Sequence, residues 1–201
     1  MLRALRLYAH LPLLAAVRAC SFTSTAMRDA LRARDLNPDD RSVRVRPASS
    51  REETILLLEA LAMPEVRSVL YHRLGQGTLG DQLMCIALRR LYPEQHGVEI
   101  RCADIGAGFA LGHGQGAVVW AQRIGRDCTI YQQVTVGLSD GELTSLPVLG
   151  DRVWLWPGSR VIGASVGEEG TVGANAVVLS DVPAGRTAVG IPARLLGDGV
   201  G

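Results

Sequence analysis

From Glu99 to about Val182 an aliphatic residue returns every six positions. The blocks are IGAGFA from Ile105, LGHGQG from Leu111, AVVWAQ from Ala117, IGRDCT from Ile124 and IYQQVT from Ile130. After an excursion come LGDRVW from Leu149, LWPGSR from Leu155, VIGAS from Val161, VGEEGT from Val166, VGANAV from Val172 and VLSDVP from Val178. Gly follows the aliphatic residue in six of these eleven blocks, and the fifth position is often small, as at Ala121, Cys128, Ser159 and Ala176. An amphipathic helix would show spacings of three and four, and a half-buried strand would alternate throughout. A period of six predicts a parallel β-helix, in which each block makes one short strand and one corner and the aliphatic residues stack inward. Phase slips at Arg123, after Ala164 and over about 142–148.

Upstream the period changes. Ser50 and Glu53 stand at capping-box spacing ahead of a predicted helix over 51–62. Pro64 suits the first turn of a second helix carrying Val66, Val69, Leu70 and Leu74, which Gly75, Gly77 and Gly80 end. A third, over 80–91, holds Leu83, Ile86, Ala87 and Leu91 and closes at Pro93. Residues 28–48 are charged with little apolar periodicity and read as a linker or exposed helix. The fold class expected is α+β, with a helical domain over 1–96 and the repeat domain over 97–201.

Composition changes this picture little. A hydrophobic content of 47% is enough for a sizeable core, and a net charge of +1 argues against nucleic acid or an anionic membrane as main partner. All basic residues are Arg. Cys20, Cys85, Cys102 and Cys128 have no metal-like or redox spacing, so reduced thiols are expected. In the first twenty residues His10, Pro12 and Arg18 interrupt the apolar run, which predicts an N-terminal helical segment of a cytoplasmic protein.

His113 is the histidine within the repeats, flanked by Gly112 and Gly114. The run EIRCADIGAGFALGHGQGAVV, the blocks IGRDCTIYQQVTVG and the ending GANAVVLSDVPAGRTAVGIPARLLG resemble the serine acetyltransferase family of hexapeptide acyltransferases. The resemblance covers at least residues 60–197 and extends to VRSVLYHRL in the second helix. It implies a left-handed β-helix and acetyl-CoA as co-substrate, with His113 as general base, Glu99 as its orienting carboxylate and Asp104 as the fallback. It implies an oxyanion site at the backbone of Gly137 and Leu138. Acetyl-CoA is expected over Pro157, Gly158, Gly173 and Ala174, with Arg194 at a CoA phosphate. No metal is expected. The partners expected are a small-molecule acceptor and further copies of the chain, as a homotrimer or a dimer of trimers.

Against the family pattern, Gly112 replaces an Asp before the His, 144–146 replace an Arg-His pair, and Met63 replaces an Asp. These departures remove a charged clamp for serine and predict that serine is a poor acceptor, with a sugar or specialised-metabolite hydroxyl or amine as the alternative. Arg73 and Gln132 are the residues left to supply a grip. Trp156 stands where Gly is usual and would narrow the channel. The terminal GDGVG resembles the peptide with which bacterial relatives dock to the next enzyme, but the short linker and the final Gly oppose docking here. A metal-dependent hydratase on the same repeat would need three His ligands, which one His in the repeats does not supply. A non-catalytic scaffold is opposed by His113, Glu99 and the CoA-type ending.

Overall fold

The computed structural model describes residues 9–19, 28–29, 50–139 and 146–197. The chain divides into two units, Met1–Gln95 and His96–Gly201.

The first unit contains helices α1 (Leu11–Ala19), α2 (Ser50–Leu61), α3 (Pro64–Gln76) and α4 (Leu79–Leu91). The capping expected at Ser50 and Glu53 involves side chains outside the described residues; the capping box that is described is Thr78–Asp81, opening α4. Pro64 stands at the start of α3, and the helix runs through Gly75 before ending at Gly77. Val66, Val69, Leu70 and Leu74 are buried, as their spacing suggests. Arg67 is buried with them and donates to the carbonyls of Leu61, Ala62 and Pro93, closing the C-terminal end of α2. Tyr71 donates to the Tyr92 carbonyl at 2.7 Å, and its burial pushes its hydroxyl up to about 12. The sequence reading errs on α4. Its buried residues are Asp81, Cys85 and Leu88, whereas Leu83 and Ile86 are exposed. The cap at Thr78–Asp81 and the contact of Cys85 with the Tyr71 carbonyl fix which side faces α3.

The second unit is built from short strands that visit three faces in rotation. The first face orders β1 (Glu99–Arg101), β4 (Val118–Trp120), β7 (Thr135–Gly137), β10 (Arg160–Ile162) and β12 (Val177–Val178). The second orders β2 (Asp104–Ile105), β5 (Arg123–Ile124) and β8 (Val148–Leu149), continued by bridges through Val166 to Val182. The third orders β3 (Ala110–Gly112), β6 (Thr129–Tyr131), β9 (Trp154–Leu155), β11 (Thr171–Val172) and β13 (Thr187–Gly190), with β14 (Ala193–Leu195) antiparallel on β13. Every other pairing between these strands is parallel.

Register turns the six-residue period into three aliphatic columns. Val119, Val136, Val161 and Val178 stack on the first face. Ile124, Leu149, Val166 and Val182 stack on the second. Leu111, Ile130, Leu155, Val172 and Ala188 stack on the third. All are buried. No residue is extra at Arg123: the column residue of that coil is Val119 and not Ala117, the span Val119–Ile124 matches Ile100–Ile105 one coil earlier, and the added residues precede Val119. Corners use left-handed backbone. One edge carries Gly108, Asp127, Arg152, Glu169 and Gly185, and another carries Gly97, Gly116, Gln133, Gly158 and Asn175, all at positive φ.

The first of these edges is tied between coils. Asp151 accepts the backbone N–H of Arg126 at 2.9 Å and its guanidinium at 3.0 and 3.1 Å. The backbone bond first, and the Arg126 side chain with it, hold the Asp151 carboxyl below the usual carboxylate range. A depressed carboxyl stabilises the fold above its unfolded-state pKa and loses that contribution as pH falls through its folded value. Asp151→Asn is therefore expected to cost about 1 kcal/mol at pH 7 and less at about pH 3, below the unfolded-state pKa. Urea midpoints at the two pH values check this, and an equal loss at both would contradict it.

Candidate active site

The corner before β4 differs from its neighbours. The chain runs from Leu111 to Gly116 where later coils run from Ile130 to Gln133 and from Leu155 to Gly158, so His113 and Gly114 are inserted. Gly114 is buried, and a Cβ there would lie 3.3 Å from Leu111 and 3.4 Å from Val98. That anchored glycine lifts His113 outward: the imidazole is exposed, on a residue at φ 63°, a backbone region uncommon for a side-chain-bearing residue. Among the described residues the ring makes no hydrogen bond or ion pair.

Glu99 opens β1, one coil below, and its backbone N–H donates to the Ala117 carbonyl at 2.9 Å. The fold thus sets Glu99 beside the His113 corner, but its carboxylate is engaged elsewhere. Oε1 accepts from Trp120 Nε1 at 3.2 Å and meets Arg101 Nε at 2.6 Å, while the Arg101 guanidinium lies 4.3 Å from the Trp120 ring centroid. Asp104 is exposed on the second face and pairs with Arg123 at 3.3 Å. Neither carboxylate is hydrogen-bonded to His113 in the single chain.

Pro157, Gly158 and Ala174 follow the His113 corner along the same edge of successive coils, with Gly173 just before it. The Asn175 N–H donates to the Pro157 carbonyl, and a Cβ at Gly158 would lie 2.2 Å from Asn175 Oδ1, so backbone is packed closely there. Gly137 and Leu138 lie at the opposite edge of the first face. A Cβ at Gly137 would meet nothing within 4 Å, and its carbonyl accepts from Gly163. The fold therefore puts His113, Glu99 and the four positions expected under acetyl-CoA toward one edge but does not bring Gly137 and Leu138 to them within one chain. Arg194 is exposed on β14, paired in register with Val189.

The two fallback grips separate. Arg73 is spent in the helical unit, in a buried ion pair with Asp29 at 2.5 Å. Gln132 stands at the next coil after His113, and its Oε1 is buried without a partner among the described residues. Residues 144 and 145 of the excursion, and the GDGVG tail from residue 198, lie outside the described residues.

One feature escaped the sequence reading. Tyr131 stacks on Trp156, with ring centroids 5.2 Å apart and planes 2° apart, and Trp154 packs against both. The signal was available as aromatic residues one coil apart on the third face, but nothing in the sequence shows which way the rings lean. Arg160, which donates to the Gly158 carbonyl at 3.2 Å, also lies on this edge and was not foreseen.

No family model matches the chain. A serine acetyltransferase of Helicobacter pylori is 39% identical over 157 residues, spanning 75% of this chain and 89% of that protein. The chain belongs to the serine acetyltransferase family. The enzyme of that name from Mycobacterium tuberculosis is 36% identical over 141 residues, 67% of this chain and 61% of that one. Among solved structures, soybean serine acetyltransferase as the apoenzyme aligns with a TM-score of 0.55 at 28% identity, over 88% of this chain and 69% of that one. The soybean enzyme complexed with serine aligns at 0.54 and 28%, over 88% and 70%.

His113→Ala is expected to fold as the parent does and to lower turnover by about 10²- to 10⁴-fold. Glu99→Gln is expected to lose less, because a carboxylate that orients the base contributes less to turnover than the base itself. Steady-state kinetics with circular dichroism as the folding control checks both; near-parental turnover in a folded His113→Ala protein would remove the base from the mechanism.

Proposed function

We propose that this chain is an acetyl-CoA-dependent serine O-acetyltransferase that transfers the acetyl group directly. The observation that carries the reading is the exposed His113 on its anchored insertion, at the head of an edge lined by Pro157, Gly158, Gly173 and Ala174, in a member of this family. The name of the Helicobacter pylori relative and the serine-complexed soybean structure support serine as acceptor. A structure titled serine acetyltransferase in complex with CoA aligns at a TM-score of 0.53 with 22% identity, over 94% of this chain and 73% of that one, a likeness of fold.

The repeat unit reads as a left-handed parallel β-helix over 97–201, with a helical domain over 1–96. His113 Nε2 or Nδ1 takes the proton of the acceptor hydroxyl as its oxygen forms a bond to the thioester carbonyl carbon. The backbone N–H groups at Gly137 and Leu138 receive the oxyanion, and Glu99, released from Arg101, steadies the imidazolium. The C–S bond then breaks, and the CoA sulfur takes the proton from the imidazolium. The groove positions hold the pantetheine arm, with Arg194 at a phosphate.

Because His113 and Gly137–Leu138 sit at opposite edges of one face, a neighbouring copy laid edge to edge would bring them together. This supports a homotrimer, alone or as a dimer of trimers, with sites between subunits. The alternative acceptor, a sugar or specialised-metabolite hydroxyl or amine, rests on the missing clamp at Gly112, Met63 and 144–146 and gains nothing from the relatives.

Thiol release from acetyl-CoA against L-serine, sugars and amines tests the activity; L-serine is expected above any sugar, and a sugar or amine exceeding it would favour the alternative. Light scattering is expected to give three or six copies, and a fully active monomer would contradict the shared site.

A further inference from the structure

The corners of successive coils stand in line along the edge that carries His113. The Gln133 N–H donates to the Gln115 carbonyl, the Gly158 N–H to the Gln132 carbonyl and the Asn175 N–H to the Pro157 carbonyl. The Gly158 corner is therefore two coils beyond the His113 corner, about 10 Å along the axis at one strand spacing per coil. Gln133 and Asn175, both exposed, put neutral amides on this edge. A Cβ at Gly116 would lie 3.6 Å from Gln133 Cγ, and one at Gly158 would run into Asn175 Oδ1, so each amide residue sits against the glycine one coil before it.

Arg160 brings a cation to the same edge. It opens β10, in register with Thr135 and Val177, and follows the Gly158 corner directly on the outer surface. Its side chain is exposed and turned back over the corner, with Nη1 donating to the Gly158 carbonyl at 3.2 Å. A guanidinium carries five N–H donors in a fixed fork, so the bond to Gly158 sets the orientation of the others at the surface of the edge.

The distance from His113 selects what this fork can meet. A serine-sized acceptor with its hydroxyl at His113 ends two coils short of Arg160. The arm of acetyl-CoA is longer. Counted from its sulfur, the first amide carbonyl carbon is four bonds away, the second eight and the first phosphorus thirteen. At about 1.2 Å of extension per bond these levels are about 5, 10 and 16 Å from the sulfur. Arg160 stands at the level of the second amide, and the phosphates lie more than one coil beyond it.

We propose that Arg160, pinned on the Gly158 carbonyl, is a donor-binding residue that hydrogen-bonds the second amide carbonyl of the pantetheine arm and not a phosphate. The inference rests on the proposed acetyl transfer at His113, with acetyl-CoA laid along this edge. A charged donor makes a stronger bond to that carbonyl than a neutral one. Its loss weakens binding of the acetyl donor and leaves the acceptor and the base untouched.

The test uses the full chain, L-serine as acceptor and three acetyl donors. These are acetyl-CoA, S-acetylpantetheine, which keeps both amides and has no phosphate, and S-acetyl-N-acetylcysteamine, which ends at the first amide. Arg160→Met is expected to raise KM by about tenfold for acetyl-CoA and for S-acetylpantetheine alike. KM for L-serine, and kcat/KM with S-acetyl-N-acetylcysteamine, are expected to stay within about twofold of the parent. Arg160→Lys, which keeps a charged donor, should recover part of the loss. Arg160→Ala is the second variant should Arg160→Met fail to fold, and the same pattern is expected from it. A rise in KM confined to acetyl-CoA would assign the fork to a phosphate and overturn the inference. So would unchanged KM for both long donors in a folded variant, an equal loss with the shortest donor, or a parent that uses acetyl-CoA but not S-acetylpantetheine. If the parent does not use the shortest donor, the two long donors decide. A folded parent that transfers acetyl groups from acetyl-CoA to no hydroxyl acceptor would fail differently: it would sink the proposed activity itself, and this inference with it.

Discussion

The constraint on which the second unit depends is that each aliphatic residue must lie directly above its counterpart one coil earlier. Leu111, Ile130, Leu155 and Val172 meet this on one face, and Val119, Val136, Val161 and Val178 on another. Parallel backbone bonds and the hydrophobic columns reinforce each other, since a slip of one residue would turn every inward side chain outward. The excursion after β7 is tolerated because it leaves the ladder intact: Thr135 still pairs with Arg160, and Thr129 with Trp154. Chain length between coils can vary while register cannot.

That rigidity is what allows the His113 side chain to be displayed. Once Gly114 is packed onto Leu111 and Val98, the inserted His113 has nowhere to go but outward. The insertion costs backbone strain at a non-glycine residue with φ 63°, and the stacked coils on either side absorb it. Pro157, Gly158 and Ala174 recur along the same edge as His113, whereas Gly137 and Leu138 belong to the other edge of the face, so one coil stack keeps the two sets apart.

The aromatic cluster follows from the same geometry. Outward side chains on successive coils are only one strand spacing apart, so large residues must lean over small ones. Tyr131 leans over Gly112, and Val189 packs over Gly173, where a Cβ would lie 2.9 Å from its Cγ1. Substitutions along such a column are coupled.

The sequence by itself determined the six-residue repeat, nearly all of its inward aliphatic residues and the helices ahead of it, and it singled out His113 as the imidazole of the repeats. These are properties of period and local chemistry, and period survives in one dimension. The tertiary structure decided what depends on neighbours that are remote along the chain. It buried Cys85 and Leu88 of α4 and exposed Leu83 and Ile86, because the partner helix and not the composition selects a face. It tied Glu99 to Arg101 and Trp120 and spent Arg73 on Asp29, since ionised groups pair with whatever the fold brings closest. It also set the Tyr131 ring over Gly112, a contact between residues a full coil apart whose direction is fixed by the stacking of Trp156 behind it.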